Sequence, residues 1–239
     1  MSNAIPDGHA PPSSDTPDRI RVVTCDDHPA IREALADIID EEMDMAVCGQ
    51  AATAEEAFAV LEETDPHVAI VDISLEDAHG LDLVQNLQAQ HPQMRVIIFS
   101  MYDERVYAER AVRAGAAGYV MKAEPTERVV EAIRTVVRDE VYLSRAMASR
   151  ILSQVARSGA GDQTGPGFAL DELTDREMEV FQMLGEGKGV EQIADQLNLS
   201  RKTVETYRRR AKEKLDLDSI AELLQHAIQW RHGQASLEE

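Results

Sequence analysis

The sequence predicts an α/β fold, a doubly wound domain with a parallel five-stranded sheet, followed by a small all-α domain. Between residues 19 and 138, five short apolar runs alternate with five amphipathic stretches, which is the pattern of strands each followed by a helix. The third run, VAIVDI, is apolar at consecutive positions, as expected for a strand covered by helices on both faces. From residue 170 onward only helical patterns occur, which indicates a second domain.

The elements of the first domain follow from local composition and periodicity. The predicted strands are RIRVVTC, MAVCGQ, HVAIVDI, RVIIFS and GYV. The predicted helices are PAIREALADIIDEE, TAEEAFAVLEE, GLDLVQNLQAQ, DERVYAERAVRAG and TERVVEAIRTVVRD. In an open sheet of this kind, functional groups gather at the carboxyl ends of the strands. We therefore expect the functional residues of this domain at the carboxyl ends of its strands.

Three segments lie outside the two predicted domains. Residues 1–18 are rich in Pro, Ser and Asp, which predicts a disordered arm. Residues 139–169 are predicted to be a linker, with a helical segment at VYLSRAMASRILSQVARSG and a flexible stretch at GAGDQTGPG. The second domain is predicted to span residues 170–231, and residues 232–239 are predicted to form a frayed tail.

The composition restricts the classes of protein. No apolar run of the 239 residues is long enough to cross a bilayer, so no membrane partner is expected. Neither Cys25 nor Cys48 lies in a metal-ligand or redox spacing, and no secretory signal precedes them. We therefore expect a cytoplasmic protein with reduced thiols, and a disulfide is the alternative. The net charge of −20 argues against a general nucleic-acid coat but allows a local basic patch.

Polar groups stand at the ends of four predicted strands. The first strand ends at Asp26 and Asp27, and the third presents Asp72. The fourth ends at Ser100, and the fifth leads to Lys122. Three converging carboxylates without a counter-ion would force at least one of them to protonate. Because Mg²⁺ favours hard oxygen ligands and would relieve this repulsion, the pattern predicts a magnesium site that could also neutralise an incoming phosphoryl group.

The same side chains suit phosphoryl transfer. A carboxylate can act as the nucleophile and become an aspartyl phosphate. Lys122 could then pair with one phosphate oxygen, and Ser100 could donate a hydrogen bond to another. Taken singly, Asp26 could be a helix cap, Lys122 a solvated loop lysine and Ser100 a turn residue. Their coincidence at matching strand ends favours the functional interpretation.

The second domain carries the signals of a helix-turn-helix. Thr174 and Glu177 fit a capping box that opens a helix, and Gly185 and Gly187 can end it. The stretch VEQIADQL predicts a short helix, and NLS predicts a tight turn. Ser200 can cap the helix that follows.

That following helix is basic although the chain as a whole is acidic. Between Ser200 and Lys214 it has seven Lys or Arg and two Glu. Helical periodicity predicts one buried face and, opposite to it, a polar face. The buried face comprises Val204, Tyr207, Ala211 and Leu215, and the polar face comprises Lys202, Thr206 and Arg209. Such a helix could enter a DNA major groove, and the alternative is a solvated face of an ordinary helical bundle.

Residues 19–138 resemble the receiver domain of a two-component response regulator. The segments that carry the resemblance are CDDHPAIREAL, VAIVDISL with GLDLV, VIIFS and RAGAAGYVMK, in that order. The resemblance implies a flavodoxin-like fold in which Asp72 accepts phosphate from a histidine kinase. It implies that Mg²⁺ is held by Asp26, Asp27, Asp72 and the backbone carbonyl of Ser74. It also implies that Ser100 and Tyr119 form a switch pair, although Tyr119 could be an ordinary core aromatic.

The chain departs from the usual receiver pattern at two places. Many receivers have a cis-proline after the conserved lysine, whereas Ala123 follows Lys122 here, so we expect a trans peptide bond. Glu76 and Asp77 stand in the loop after Asp72, where a proline and a glycine are more usual. Two additional acids near the site could change the Mg²⁺ affinity or the lifetime of the phosphate.

Residues 170 to about 231 resemble the LuxR-type helix-turn-helix of NarL/FixJ-type response regulators. The motif is LTDREMEVFQML followed by EGKGVEQIADQLNLSRKTVETYRRRAKEKL. The resemblance implies base contacts from Glu205, Thr206 and Arg209, and phosphate contacts from Lys202, Thr203, Arg208 and Lys212. Glu205 stands where many relatives carry Lys or Asn, and a glutamate can accept a hydrogen bond from cytosine N4 or repel phosphate.

The last predicted helix, SIAELLQHAIQW, is apolar enough to contact a second copy of the chain. The resemblance implies dimerisation through Ile220, Leu223, Leu224 and Ala227, and burial within the same chain is the alternative. A two-fold dimer would suit an operator with paired half-sites.

The combined prediction is a phosphorylation-controlled transcriptional regulator, and not an enzyme. Its expected partners are a cognate histidine kinase, a double-stranded DNA operator and a second copy when phosphorylated. A Mg²⁺-dependent phosphohydrolase is disfavoured because such enzymes commonly have an acidic residue two positions after the nucleophile, where this chain has Ser74. The other alternative is a module whose output is protein–protein contact.

Overall fold

The computed structural model describes residues 19–75, 77–158, 170 and 172–235. Its strands are β1 (Ile20–Cys25), β2 (Met45–Ala51), β3 (Val68–Val71), β4 (Arg95–Ser100) and β5 (Gly118–Met121). The helices that follow them are α1 (Pro29–Asp40), α2 (Ala54–Thr64), α3 (Gly80–Gln90), α4 (Glu104–Ala114) and α5 (Glu127–Val136). Every strand pair is parallel, and the order is β2-β1-β3-β4-β5. The predicted doubly wound parallel sheet is confirmed.

The sheet has an apolar core on each face. All four residues of β3 are buried, because the central strand of a doubly wound sheet is covered from both sides. One core contains Leu35 and Ile39 of α1 and Val129 and Ile133 of α5. The other contains the inward side chains of α2, α3 and α4. This second core is continuous with the apolar residues of the C-terminal domain.

Capping residues set the ends of helices on the face of the sheet that α2 to α4 cover. The Thr53 side chain accepts a hydrogen bond from the Glu56 backbone N–H and begins α2. Asp103 begins α4 in the same way. Gly115 ends α4 with φ of 106°, a left-handed conformation that glycine adopts without strain.

The remaining helices belong to the linker segment and the second domain. They are α6 (Arg145–Ser158), α7 (Asp175–Gly185), α8 (Val190–Gln196), α9 (Arg201–Lys214) and α10 (Ile220–Ala235). Helix α6 lies within the segment predicted to be a linker with a helix, and its Met147 side chain is buried. The predicted arm, the stretch GAGDQTGPG and residues 236–239 lie outside the described residues. Within the described ranges, no helix has the length and apolar character that crossing a membrane requires.

The C-terminal domain is built on contacts of α7 with α9 and α10. The predicted capping box is present, since Thr174 and Glu177 exchange side-chain to backbone hydrogen bonds. Phe181 of α7 packs on Trp230 of α10 with ring centroids 5.8 Å apart. At Gly185 the helices approach so closely that a Cβ atom would lie 2.7 Å from a backbone oxygen of α10.

The structure corrects two predictions about α10. The helix continues to Ala235, so the prediction of a frayed tail from residue 232 is wrong for residues 232–235. Leu223 and Ala227 are fully buried within the chain, because α10 packs along α7. Of the four predicted dimer residues, the exposed Leu224 and the partly buried Ile220 are those that remain accessible to a second copy.

Candidate functional site

The carboxyl ends of the strands bring the predicted charged groups together. The Nζ atom of Lys122 lies 2.6 Å from Oδ2 of Asp26 and 2.7 Å from Oδ2 of Asp72. Both carboxylates are almost completely buried. This arrangement arises because β1, β3 and β5 run in the same direction and end at the same edge of the sheet.

An acidic group surrounds this lysine. Asp26, Asp27, His28 and Asp72 each offer a ligand atom, and these atoms lie within 4.8 Å of one another. Carboxylate oxygens are the ligands that Mg²⁺ prefers, so the side chains present fit that ion. The imidazole Nδ1 of His28 lies 2.5 Å from a carboxylate oxygen of Asp27. The predicted convergence of the three aspartates is thus present in the fold.

Burial and charge pairing act in opposite directions on the acid–base equilibria of the site. Burial raises the pKa of Asp72 to about 6, although the neighbouring Lys122 ammonium lowers it. For Lys122, burial alone would lower the pKa, but the carboxylates of Asp72 and Asp26 raise it above its usual value. The lysine is therefore a cation at neutral pH, and it is the resident counter-ion of the buried acids.

The predicted switch residues lie against this charged group. The Ser100 hydroxyl oxygen accepts a hydrogen bond of 3.2 Å from the backbone N–H of Tyr102. The Tyr119 hydroxyl donates to the backbone oxygen of Tyr102 at 2.9 Å. Tyr119 is buried, and burial raises its pKa well above the usual value. The peptide bond after Lys122 is trans, as predicted, since the described part of the chain contains no cis bond.

Two further residues position the loop that follows Asp72. The backbone of Gly80 lies so close to this loop that a Cβ atom would stand 2.0 Å from the Asp72 carbonyl oxygen. A side chain there would displace the backbone of Asp72, which explains the glycine of the GLDLV motif. The Asp77 carboxylate accepts hydrogen bonds of 2.9 and 3.0 Å from the Ala54 N–H at the start of α2. Glu76 lies outside the described residues.

Helix α9 presents a basic surface. Val204 and Ala211 are buried, whereas Lys202, Glu205 and Arg209 are exposed, as the helical periodicity predicts. Thr206 is partly exposed and donates to the Lys202 carbonyl oxygen. The predicted phosphate contacts Thr203, Arg208 and Lys212 are also partly exposed.

The charges of this helix divide into two groups. Arg201 pairs with Glu191 at 2.9 Å, and Lys214 pairs with Glu177 at 2.7 Å. Five basic residues of the helix make no ion pair with any described residue: Lys202, Arg208, Arg209, Arg210 and Lys212. Unpaired cations on an exposed helix face are suited to phosphate and base contacts.

The C-terminal domain covers the acidic group, which the sequence did not predict. A cavity of about 270 Å³ extends from Asp72 and Lys122 to Arg176 of α7 and to the helix-turn-helix turn at Leu197 and Asn198. Its lining therefore comes from both domains. The signal that could have located this contact is an acid, Glu179, inside the apolar run of α7.

Comparisons with known proteins agree with this geometry. Residues 22–134 match the family model of the response regulator receiver domain, and residues 171–227 match that of the bacterial regulatory proteins, luxR family. The chain is 30% identical over 210 residues to the oxygen regulatory protein NreC of Staphylococcus haemolyticus, covering 87% of this chain and 97% of NreC. It is 36% identical over 208 residues to the transcriptional activator protein ExaE of Pseudomonas putida, covering 87% and 95% of the two chains.

Solved structures show the same fold. A LuxR-family two-component response regulator from Aurantimonas sp. SI85-9A1 aligns with a TM-score of 0.53 and 29% identity over 58% of this chain and 99% of that one. RcsB from Salmonella enterica serovar Typhimurium, bound to promoter rprA, aligns with a TM-score of 0.57 and 21% identity over 87% and 98% of the two chains. The chain therefore belongs to the response regulators that join a receiver domain to a LuxR-type helix-turn-helix domain, and it is a DNA-binding transcription regulator of the two-component class.

Proposed function

We propose that Asp72 accepts a phosphoryl group from a cognate histidine kinase in the presence of Mg²⁺. The observation that carries this proposal is the placement of one ammonium group, that of Lys122, between the buried carboxylates of Asp26 and Asp72. A carboxylate oxygen of Asp72 attacks phosphorus, and the P–N bond of the phosphohistidine breaks with its electron pair remaining on the imidazole. Because the Asp72 carboxylate is itself the nucleophile, formation of the aspartyl phosphate needs no other nucleophilic side chain.

The remaining groups of the site assist by charge and position. Lys122 pairs with a phosphoryl oxygen, and the Ser100 hydroxyl donates a hydrogen bond to another. Asp26, Asp27, Asp72 and the backbone carbonyl of Ser74 would hold Mg²⁺, which when bound supplies neutralisation of the phosphoryl charge. Tyr119 would respond to the movement of Ser100, because its hydroxyl contacts the carbonyl of Tyr102 in the same segment.

The output is a change in the conformation or dimerisation of the DNA-binding domain. Arg209, Thr206 and Glu205 face base edges, and Lys202, Thr203, Arg208 and Lys212 lie near phosphates. The accessible Leu224 and Ile220 form the contact of a two-fold dimer on paired half-sites. Because its operator is bacterial DNA, the protein works in the cytoplasm.

Intact-mass analysis with acetyl phosphate tests the proposal. We expect the chain to gain one phosphoryl group only when Mg²⁺ is present, and we expect Asp72→Asn to gain none. Asp77→Asn is the matched control, because the Asp77 carboxylate lies in the same loop but accepts a hydrogen bond from the start of α2. This variant should gain one phosphoryl group, as the chain without substitutions does. A gain of phosphate by Asp72→Asn, or no gain of phosphate by the chain without substitutions, would contradict the assignment.

A further inference from the structure

Glu205 is an unpaired acid within the basic surface of α9. It is exposed, and its carboxylate makes no ion pair with any residue in the described part of the chain. Two arginines lie within helical reach of it, Arg201 four residues before and Arg209 four residues after. Arg201 pairs with Glu191 instead, at 2.9 Å. A Glu with an Arg four residues later is a pair that helices favour, so its absence leaves both side chains free to contact DNA.

The position of Glu205 on the helix suits contact with bases. It is the fifth residue of α9, and Arg209 follows one turn later. In a helix-turn-helix, the N-terminal residues of the second helix contact base edges in the major groove. Val204 and Ala211 of the same helix are buried in the core of the domain, so the exposed face that carries Glu205 is the one that can meet DNA.

A carboxylate in this place needs a hydrogen-bond donor on the DNA. Phosphate oxygens are anionic and repel it. On the major-groove edge, guanine offers only acceptors, and thymine offers an acceptor and a methyl group. Adenine has a donor at N6 but an acceptor beside it at N7, and an ionised carboxylate has no proton to donate to N7. Cytosine, with its N4 amino donor, is the base that a carboxylate fits.

We propose that Glu205 is a specificity-determining residue that selects a cytosine in each half-site of the operator, by accepting a hydrogen bond from cytosine N4. This inference rests on the function proposed for α9, in which Glu205 and Arg209 face base edges. The negative charge lowers the affinity for sequences without a donor at that position, and the matched cytosine offsets this loss. Attraction to the phosphates comes from the unpaired cations around it, Lys202, Arg208, Arg209, Arg210 and Lys212.

Selection from a random DNA library, with the full chain, acetyl phosphate and Mg²⁺, tests this role by the identity of one base. We expect the chain without substitutions to select cytosine at one position of each half-site. Glu205→Gln should select adenine there, because an amide can donate to N7 and accept from N6. In fluorescence anisotropy, the ratio of the affinities for the cytosine and adenine sites should change by about tenfold.

Glu213→Gln is the matched control for the loss of one negative charge. Glu213 is also an exposed acid of α9, but it lies eight residues further along the helix, or about 12 Å. This variant should keep the selected cytosine. If Glu205→Gln instead binds every sequence more tightly by the same factor and selects the same bases, Glu205 acts by repulsion alone, and the proposal is overturned.

Arg209→Ala in the same selection separates this inference from the function on which it rests. If Arg209→Ala alters the selected sequence and Glu205→Gln does not, the cytosine contact is wrong and the placement of α9 at base edges stands. If neither substitution alters the selected sequence, or if the chain selects no sequence, α9 does not read bases and both proposals fail.

Discussion

The ammonium group of Lys122 lies 2.7 Å from the carboxylate of Asp72 in a site where both side chains are almost completely shielded from solvent. The lysine therefore serves two purposes that are usually separate. It balances the charge of the buried acids, and in the function proposed above it also pairs with a phosphoryl oxygen.

Removal of this lysine should destabilise the receiver, and Mg²⁺ should reverse part of the effect. Lys122→Met leaves Asp26 and Asp72 buried without their cation, which we expect to lower the free energy of unfolding by about 3 kcal/mol in the presence of EDTA. Mg²⁺ should restore part of this loss, since it offers an alternative counter-ion. Urea unfolding with and without Mg²⁺ measures both effects.

Lys188→Met is the control for the loss of a lysine. Lys188 makes a partly exposed ion pair with Glu186 at 2.8 Å and donates to the Gln196 side chain at 2.7 Å, so its replacement should change the free energy of unfolding by less than about 1 kcal/mol. Equal destabilisation by the two substitutions would mean that Lys122 has no special electrostatic role.

The stability of the chain should depend on the protonation of Asp72. Burial raises its pKa from 3.8 to about 6, so between these values the folded chain binds more protons than the unfolded chain. The free energy of unfolding contributed by this group therefore falls as the pH rises through that window. Asp72→Asn removes the penalty, and at pH 7 the variant should be more stable by up to about 3 kcal/mol in EDTA.

Urea unfolding between pH 4.5 and 7.5 gives the measurement for this pH dependence. The difference in free energy between Asp72→Asn and the unmodified chain should shrink as the pH falls below 6. A difference that stays constant over this range would show that Asp72 does not titrate there.

Two residues of α9 should affect DNA binding in different ways. Arg209→Ala removes an expected base contact and should reduce discrimination at one base pair by about 1–3 kcal/mol. Lys202→Ala removes an expected phosphate contact and should weaken binding to all sequences alike. The slope of the logarithm of the binding constant against the logarithm of the salt concentration should fall by the amount expected for about one phosphate contact. Fluorescence anisotropy over a salt series, on an operator selected from a random library and its point variants, separates the two effects.

Three other outcomes would contradict the roles expected for Arg209 and Lys202. If Arg209→Ala weakens binding to all sequences equally, or Lys202→Ala changes the preferred sequence, the role assigned to that residue is wrong. If neither substitution affects binding, DNA is contacted by another surface. Lys188→Ala, outside α9, serves as the control for the loss of one positive charge.

The proposed dimer contact on α10 can be tested at a single exposed leucine. Leu224 is 38% exposed although it is apolar, and Gln225 beside it is also exposed. Leu224→Asp should reduce the fraction of dimer after treatment with acetyl phosphate, because a carboxylate would be buried in the contact. Gln225→Asp is the control and should dimerise normally in analytical ultracentrifugation. Equal dimerisation of the two variants would exclude Leu224 from the interface.

The sheet and the group of charges at its edge could be predicted because both follow from local patterns. Alternating apolar runs and amphipathic stretches indicate parallel strands, and parallel strands end at one edge. That rule alone brings Asp26, Asp72 and Lys122 together, and the structure confirms it. The caps at Thr174 and Ser200 were predictable for the same reason, since they depend on residues three positions apart.

The contacts between domains were not predictable from local patterns. Periodicity shows that a residue of α7 or α10 is on one face, but not which neighbour that face meets. Leu223 and Ala227 could equally have contacted a second copy, and packing against α7 decides otherwise. The position of Glu179 inside an apolar run indicates that it needs a partner but not which one, because Ser74 and Tyr102 are about a hundred and about eighty residues away in the sequence.

The guanidinium of Arg110 on α4 also holds the start of the DNA-binding domain, through the carbonyl oxygens of Leu170 and Leu173 and the carboxylate of Asp175. Both partners of this contact belong to one polypeptide, so the concentration that each domain experiences is set by the chain that joins them and not by the concentration of the protein. An association that would be too weak between separate molecules is sufficient here. The contact between the two domains should therefore persist at any dilution, and a change in the concentration of the protein in the cell should not alter it.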